Sequence, residues 1–223
     1  MAIEIELIKK IAYFAGLSAT ELETIKPHIL EKKADRSEII IYDGEPAEAL
    51  YFVVSGAVKV FKTSADGKDQ ILNIVPPGES FNDSTIFRGG PNQANAQAIV
   101  PTMLYEIRKA EVNALLQKHP QIAINAINVL AGQANQLVSL VEDLSFKHVI
   151  GRVAKILLQH AADNANPGLR LTQQEMAALA GSAREVVGRS LKSLESDGII
   201  RIERHKIVIA NKEALKGLVE SPI

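Results

Sequence analysis

Leu171-Thr-Gln-Gln-Glu-Met-Ala-Ala-Leu-Ala-Gly-Ser-Ala-Arg-Glu-Val-Val-Gly-Arg-Ser-Leu-Lys-Ser-Leu-Glu195 reads as helix, glycine turn, helix. Thr172 followed by Glu175 has the spacing of a capping box, in which hydroxyl and carboxylate satisfy free backbone donors at a helix start. Met176, Leu179 and Ala180 then form a short apolar face, and Gly181 suits a left-handed stop. Ser182 with Glu185 predicts a second capping box opening the second helix. Val187, Leu191 and Leu194 recur at i, i+4, i+7 and predict its inward face. Arg184, Glu185, Gly188, Arg189 and Lys192 fall opposite. Two arginines and a carboxylate near the start of a second helix fit the place where a helix-turn-helix meets the major groove. A solvated surface helix, or a winged helix that binds protein, would use the same pattern.

The 223 residues are enough for two modest domains, and 47% hydrophobic with 23% charged is ordinary soluble composition. No apolar run reaches the roughly 18 to 20 residues of a membrane span. The start, Met1-Ala-Ile-Glu-Ile-Glu6, is acidic and unlike a signal peptide. The expected compartment is the cytoplasm, without a membrane partner. There are no cysteines. That excludes disulfides and thiolate zinc, and it disfavours an iron–sulfur cluster or cysteine-ligated haem. His28, His119, His148, His160 and His205 are too scattered for a metal-binding pair. Net charge is −1, yet residues from 148 onward hold 11 Lys+Arg against 8 Asp+Glu, and the rest 14 against 18. A mildly basic C-terminal part fits a phosphate-binding module on an acidic sensor.

Residues 3–33 are expected to be helical, with Ile8, Ile11 and Ala12, then Leu22, Ile25 and Ile29, at helical spacing. Gly16-Leu-Ser18 breaks them, and Ser18 with Glu21 is another capping box. From Glu38 to Ile107 the period becomes that of strands, with turn signals at Asp43-Gly-Glu-Pro46, Ser55-Gly56, Asp66-Gly67 and Pro76-Pro-Gly78. Short strands so punctuated predict an antiparallel sandwich or barrel. Phe81 to Ala98 is polar, Gly-rich and too long for a tight hairpin, so it is expected to be irregular and functional. The strand pattern resumes at Met103. A short helix over 109–118 precedes a long one from about Gln121 to Ser145. On it Ile127, Leu130, Ala134, Leu137, Val141 and Leu144 alternate three and four apart, the repeat of a self-pairing seam. Packing of that helix on its own sheet is the alternative. Val149 to Leu158 begins a second core, and Asn164-Ala-Asn-Pro-Gly168 is a loop. Ile199 to Arg204 and Lys206 to Ile209 read as a two-stranded wing around His205. Arg204 and Lys206 near its tip could reach phosphates or be ordinary hairpin charges.

A strand-rich sensor, a dimerising helix and a winged helix-turn-helix, in that order, resemble the cyclic-AMP receptor protein and fumarate–nitrate regulator (CRP/FNR) superfamily of bacterial transcription regulators. The resemblance covers nearly the whole chain. It is carried by Gly181–Glu195, by Tyr51-Phe-Val-Val-Ser-Gly-Ala-Val-Lys-Val60 and by Pro77-Gly78. It implies an α+β fold with a cyclic-nucleotide-binding-like β-roll over 1–120. A dimerisation helix and hinge over 121–147 and a winged helix-turn-helix over 148–223 would follow. It also implies a homodimer on double-stranded DNA at a two-fold TGTGA-like site, with RNA polymerase as a further partner. Arg184 and Arg189 would bond guanine, and Glu185 would accept from cytosine. Thr172 and Gln174 match the family's phosphate contacts, and Ser182, Lys192, Arg204 and Lys206 are further candidates. Glu185 cannot serve fully as capping acid and base reader, so one role must yield.

The sensor departs from the family's pattern. Cyclic-AMP binders carry Gly-Glu-Leu and end this cassette in Arg-Ser or Arg-Thr. Here those places hold Asn82-Asp-Ser84 and Asn92-Gln93. A phosphate calls for a cation or converging donors, and Asn and Gln bring no charge. The adenine-reading positions fall near Leu137 and Val138, which are apolar. Both departures disfavour cyclic AMP. An effector would then lie among Asn82, Asp83, Ser84, Arg88, Asn92, Gln93, Asn95, Leu137 and Val138. It is a different small molecule, or a haem or gas, for which the cassette lacks a histidine. Otherwise there is none, abundance alone controls activity, and these residues are a polar surface loop. Any effector would act through the hinge at Phe146-Lys-His148. A free-standing ligand-binding regulatory subunit would need the sensor but not the three readers. No nucleophile elbow, P-loop, dinucleotide fingerprint or metal-ligand spacing supports an enzyme.

Overall fold

The strand Ala49–Ser55 holds the first unit together because its apolar run is buried on both faces. A computed structural model describes residues 3–160, 171–203 and 206–220 of the chain. They divide into two compact units, one within residues 1–62 and 73–136, the other within 63–72 and 137–223. The first contains β1 (Leu30–Ala34), β2 (Ile39–Ile41), β3 (Ala49–Ser55), β6 (Ser80–Phe81), β7 (Asn95–Ala98) and β8 (Thr102–Arg108). The hairpin strands β4 (Val58–Thr63) and β5 (Asp69–Val75) complete its sheets. One sheet runs β1-β8-β3-β6 and the other β2-β7-β4-β5. Pairing is antiparallel along β1-β8-β3-β6 and along β2-β7-β4. Ala49, Tyr51 and Val53 pack with Ile40, Val58, Val75, Ala96 and Leu104. Leu50 and Phe52 point the other way, into a cluster with Tyr13, Phe14, Leu22, Ile25, Tyr105 and Leu115.

Two expectations are corrected here. Residues 30–33 are strand, not helix: the N-terminal helices α1 (Ile5–Ile8) and α2 (Ala19–Ile25) end before a tight turn at Lys26–His28. After that turn Leu30–Ala34 pairs with Thr102–Glu106. Sheet partners seventy residues away override a weak local helical period. Within Phe81–Ala98, an ordered helix α3 (Asp83–Arg88) and strand β7 replace the irregular segment. Ala96 and Ala98 alternate inward on β7, too small to advertise a strand in the sequence.

After β8 come α4 (Lys109–Lys118) and the 27-residue α5 (Pro120–Phe146). The second unit adds α6 (Val149–His160), α7 (Gln173–Ala180), α8 (Arg184–Ser196), β9 (Ile200–Glu203), β10 (Lys206–Ile209) and α9 (Lys212–Glu220). Its core joins Val153, Ile156, Leu157, Met176, Val187, Leu191, Leu194, Ile200 and Leu215. Gly151 lets α6 lie against α9, since a Cβ there would come within 2.8 Å of the Leu218 carbonyl. The expected loop at 164–168 lies outside the described residues. No helix among them is long and apolar enough to cross a membrane.

Candidate nucleic-acid interface

The start of α7 folds as its spacing predicts. Glu175 N–H donates to Thr172 Oγ1 at 3.1 Å, and Thr172 N–H donates to Glu175 Oε2 at 2.6 Å. Gly181 ends the helix in the left-handed region, at φ 58°. Ser182 N–H closes the turn on the Ala177 carbonyl at 3.0 Å. The second capping box does not form. With Ser182 spent on closing α7, Ala183 becomes the N-cap of α8 and no side chain caps it. Glu185 is therefore one residue too early to reach back, and it stands exposed on the helix surface. The competition between capping and base reading is thereby removed.

Val187, Leu191 and Leu194 point inward and are no more than 1% exposed. Arg184, Glu185, Arg189 and Lys192 are exposed on α8, with Gly188 half-buried between them. Thr172 and Gln174 are exposed in the first turn of α7, although the Thr172 hydroxyl is engaged in its capping box. The wing pairs Glu203 with Lys206. Ile202 N–H donates to Glu195 Oε1 at 3.1 Å, tying the wing to the end of α8. Lys206 is exposed, and Arg204 and His205 lie outside the described residues.

Sequence reasoning missed Arg152. Its Nε donates to the Ala180 carbonyl at 2.7 Å, and its Nη1 to the carbonyls of Lys147 at 2.6 Å and Asp143 at 3.3 Å. One guanidinium thus ties together carbonyls near the ends of two helices, one of them at the turn before α8. Burial lowers its pKa. Asp143 loses solvent too, but hydrogen bonds from Lys147 and Lys155 outweigh this and hold its carboxyl below the usual range. A charge inside the apolar run Val149–Leu158 was the available signal.

The cassette residues are mostly occupied by the protein itself. Asn82 takes the left-handed conformation at φ 71°, which Asn tolerates better than most residues, and donates to the Ala49 carbonyl at 3.1 Å. Asp83 is 2% exposed and accepts hydrogen bonds from the Tyr13 hydroxyl, from Ser80 Oγ at 2.6 Å and from Gln133 Nε2 at 3.0 Å. Burial, then the neighbouring Asp83, push the Tyr13 phenol far up, so it stays a donor. Glu79 is raised by burial, with Asp83 adding to it. Asp83→Ala would strand three donors and is expected to destabilise the first unit by about 3 kcal/mol, read by urea unfolding. Asn95 Oδ1 accepts from Asp43 N–H at 3.0 Å, and Gln93 donates to the Pro91 carbonyl at 3.0 Å. Ser84 and Arg88 are exposed. Asn92 is buried, with Nδ2 donating to the Tyr42 carbonyl at 3.1 Å, while its Oδ1 is buried without a partner. Leu137 and Val138 are about half exposed on α5.

The same helix carries the residues from which a seam was expected. Ile127 and Val141 are 65% and 62% exposed, Ala134 and Leu137 are exposed, and Leu130 is half-buried. Leu144 is partly taken up inside the chain, its Cδ2 lying 2.5 Å from where a Cβ on Gly181 would stand.

Residues 31–119 match the model of the cyclic nucleotide-binding domain, and residues 151–218 that of the Crp-like helix-turn-helix domain. The chain is 31% identical over 189 residues to the cyclic AMP receptor protein of Thermus thermophilus, covering 85% of this chain and 88% of that one. It is 29% identical over 217 residues to a CRP-like cAMP-activated global transcriptional regulator of Mycobacterium tuberculosis, covering 94% and 97%. The solved structure of FixK2 from Bradyrhizobium japonicum superposes with a TM-score of 0.77 at 27% identity, covering 86% of this chain and 98% of that one.

Proposed function

Because the chain belongs to the CRP/FNR family, whose members are transcription regulators and not enzymes, we propose that it binds a two-fold TGTGA-like DNA site as a homodimer. The observation that carries this reading is the outward face of α8. Arg184, Glu185 and Arg189 stand free in solvent there while the opposite face is fully packed. In this reading Arg184 and Arg189 bond guanine O6 and N7, and Glu185 accepts from cytosine N4. Thr172, Gln174, Ser182, Lys192, Arg204 and Lys206 hold phosphates and fix the register. The exposed stripe Ile127, Ala134, Leu137 and Val141, with Leu130 and Leu144 at its edges, pairs two copies. That places two recognition helices about one DNA turn apart. The functional division is then sensor over 1–120, dimerisation helix and hinge over 121–147, and DNA-binding module over 148–223, working in the cytoplasm with RNA polymerase. Salt-dependent, sequence-selective retention of a TGTGA palindrome tests the reading. Retention that ignores sequence, or none, overturns it in favour of a ligand-binding regulatory subunit.

Several relatives are named for cyclic AMP, and this chain is proposed to differ. Asn92 supplies no cation, and Asp83 is already satisfied by Tyr13, Ser80 and Gln133. Two observations favour different control. The satisfied Asp83 network supports a first unit that holds its fold without a ligand. The orphaned Asn92 Oδ1 supports a small molecule that donates a hydrogen bond, since an unmet buried acceptor costs about 1–3 kcal/mol. Millimolar cyclic AMP is expected to leave both the melting temperature and the affinity for the palindrome unchanged. A ligand at 100 times its Kd would add about 2.7 kcal/mol of stability, so thermal unfolding is a sensitive check.

A further inference from the structure

We infer that Tyr13 is a ligand the chain carries within itself: its phenol hydroxyl, delivered to Asp83, keys α5 to the sensor as a bound small molecule would. The inference rests on the DNA-binding reading above and names what takes the effector's place. Tyr13 belongs to the single turn Ala12–Phe14, which is closely seated. The Ala12 N–H donates to the Gly78 carbonyl at 3.2 Å, and a Cβ on Gly78 would come within 2.9 Å of the Lys10 carbonyl. The Tyr13 ring is edge-on to Phe52 at 5.2 Å and stacked on Phe87 of α3 at 6.5 Å. Its hydroxyl donates to Asp83 Oδ1 at the start of α3, inside the stretch where an effector was expected. Its carbonyl accepts from Asn125 Nδ2 of α5 at 2.9 Å, and the same amide donates to the Ala15 carbonyl at 2.8 Å. Asp83 Oδ2 accepts in turn from Gln133 Nε2 of α5 at 3.0 Å. The contacts close a ring that leaves α5 at Asn125 and returns to it at Gln133, about 12 Å further along the helix. The phenol hydroxyl is the link between the two ends.

Packing alone does not ask for this arrangement. Phe14, Phe52 and Phe87 fill the same cluster without a hydroxyl. A buried carboxyl group held by the neutral donors of Tyr13, Ser80 and Gln133 is a costly way to complete a core, where apolar side chains of similar volume would do. What the ring of contacts adds is a fixed pose for α5. Between its two amides that helix carries Ile127 and Leu130, and Ala134 follows directly, all members of the stripe proposed to pair two copies. Keyed at Asn125 and at Gln133, this stretch neither turns nor slides, and its stripe stays outward.

Tyr13→Phe keeps the ring and removes only the hydroxyl. Kd for a TGTGA palindrome is expected to rise about tenfold, as it does when the binding-competent fraction falls to about a tenth. The melting temperature is expected to fall by about 3–12 °C. Tyr13→Ala removes the ring as well and leaves an apolar hollow of the kind that takes up small aromatic molecules. Added p-cresol, which brings back both ring and hydroxyl, is expected to restore palindrome binding saturably. Toluene, which brings back the ring alone, is expected to raise the melting temperature and leave palindrome binding weak. Wild-type affinity in Tyr13→Phe overturns the inference. So does a folded Tyr13→Ala protein that p-cresol does not rescue, or that toluene rescues equally. If Tyr13→Ala does not fold, Tyr13→Phe decides alone. Failure of the underlying reading looks different: wild-type protein would then not distinguish the palindrome from unrelated duplex.

Discussion

Arg184→Ala is expected to weaken binding to a TGTGA palindrome by between about 30-fold and 20,000-fold. Each bidentate arginine–guanine contact is worth about 1–3 kcal/mol of discrimination, and a symmetric dimer loses two. The loss should be confined to one base pair of each half-site. On a palindrome already altered at that guanine, wild-type and variant protein should bind alike. Competition binding with a set of single-base operator variants measures this directly. Arg184 is exposed in the first turn of α8 and does not contribute to the packed face, so stability should hardly change. Equal weakening on every sequence would make Arg184 a phosphate contact and sink its role as base reader.

Val141→Glu is expected to turn the proposed dimer into a monomer. Val141 is 62% exposed on α5, toward the C-terminal end of the apolar stripe, and symmetry would set two new carboxylates against each other across the seam. A monomer engages one half-site without the linked second contact, so affinity for the full palindrome should fall by about 10²–10⁴-fold. Val141→Leu keeps the apolar contact and should retain both properties. Sedimentation equilibrium and operator titration together decide the matter. A Val141→Glu protein that stays dimeric would move the seam elsewhere.

The parts of the fold that read clearly in sequence are those whose signals are local. The Thr172–Glu175 capping box and the Gly181 stop each depend on residues within one turn, and both form. The inward face Val187, Leu191, Leu194 also follows from spacing alone. The second capping box failed on a detail of one residue. Ser182 had two possible uses, and closing the helix before it took precedence over opening the helix after it. β1 and β7 were missed because their identity comes from partners far along the chain, Thr102–Glu106 for one and Val58–Phe61 for the other. The same holds for Asp83, whose ligands Tyr13 and Gln133 lie 70 and 50 positions away. Several cassette residues look like an open polar loop in sequence because their hydrogen-bonding partners, Ala49, Tyr42 and Asp43, are visible only in three dimensions.

The turn closed by Ser182 also bears on time. Since Glu185 owes nothing to capping and Gly181 is already locked, no bond at the start of α8 must break before the helix enters a groove. Association should then proceed as a near-rigid encounter, its rate governed by diffusion and by the modest positive excess of the C-terminal part. Sequence changes in the operator would leave arrival rates almost alike and appear as differences in residence time. Occupancy of a site would be decided by how long each dimer stays, and hardly by how often one arrives.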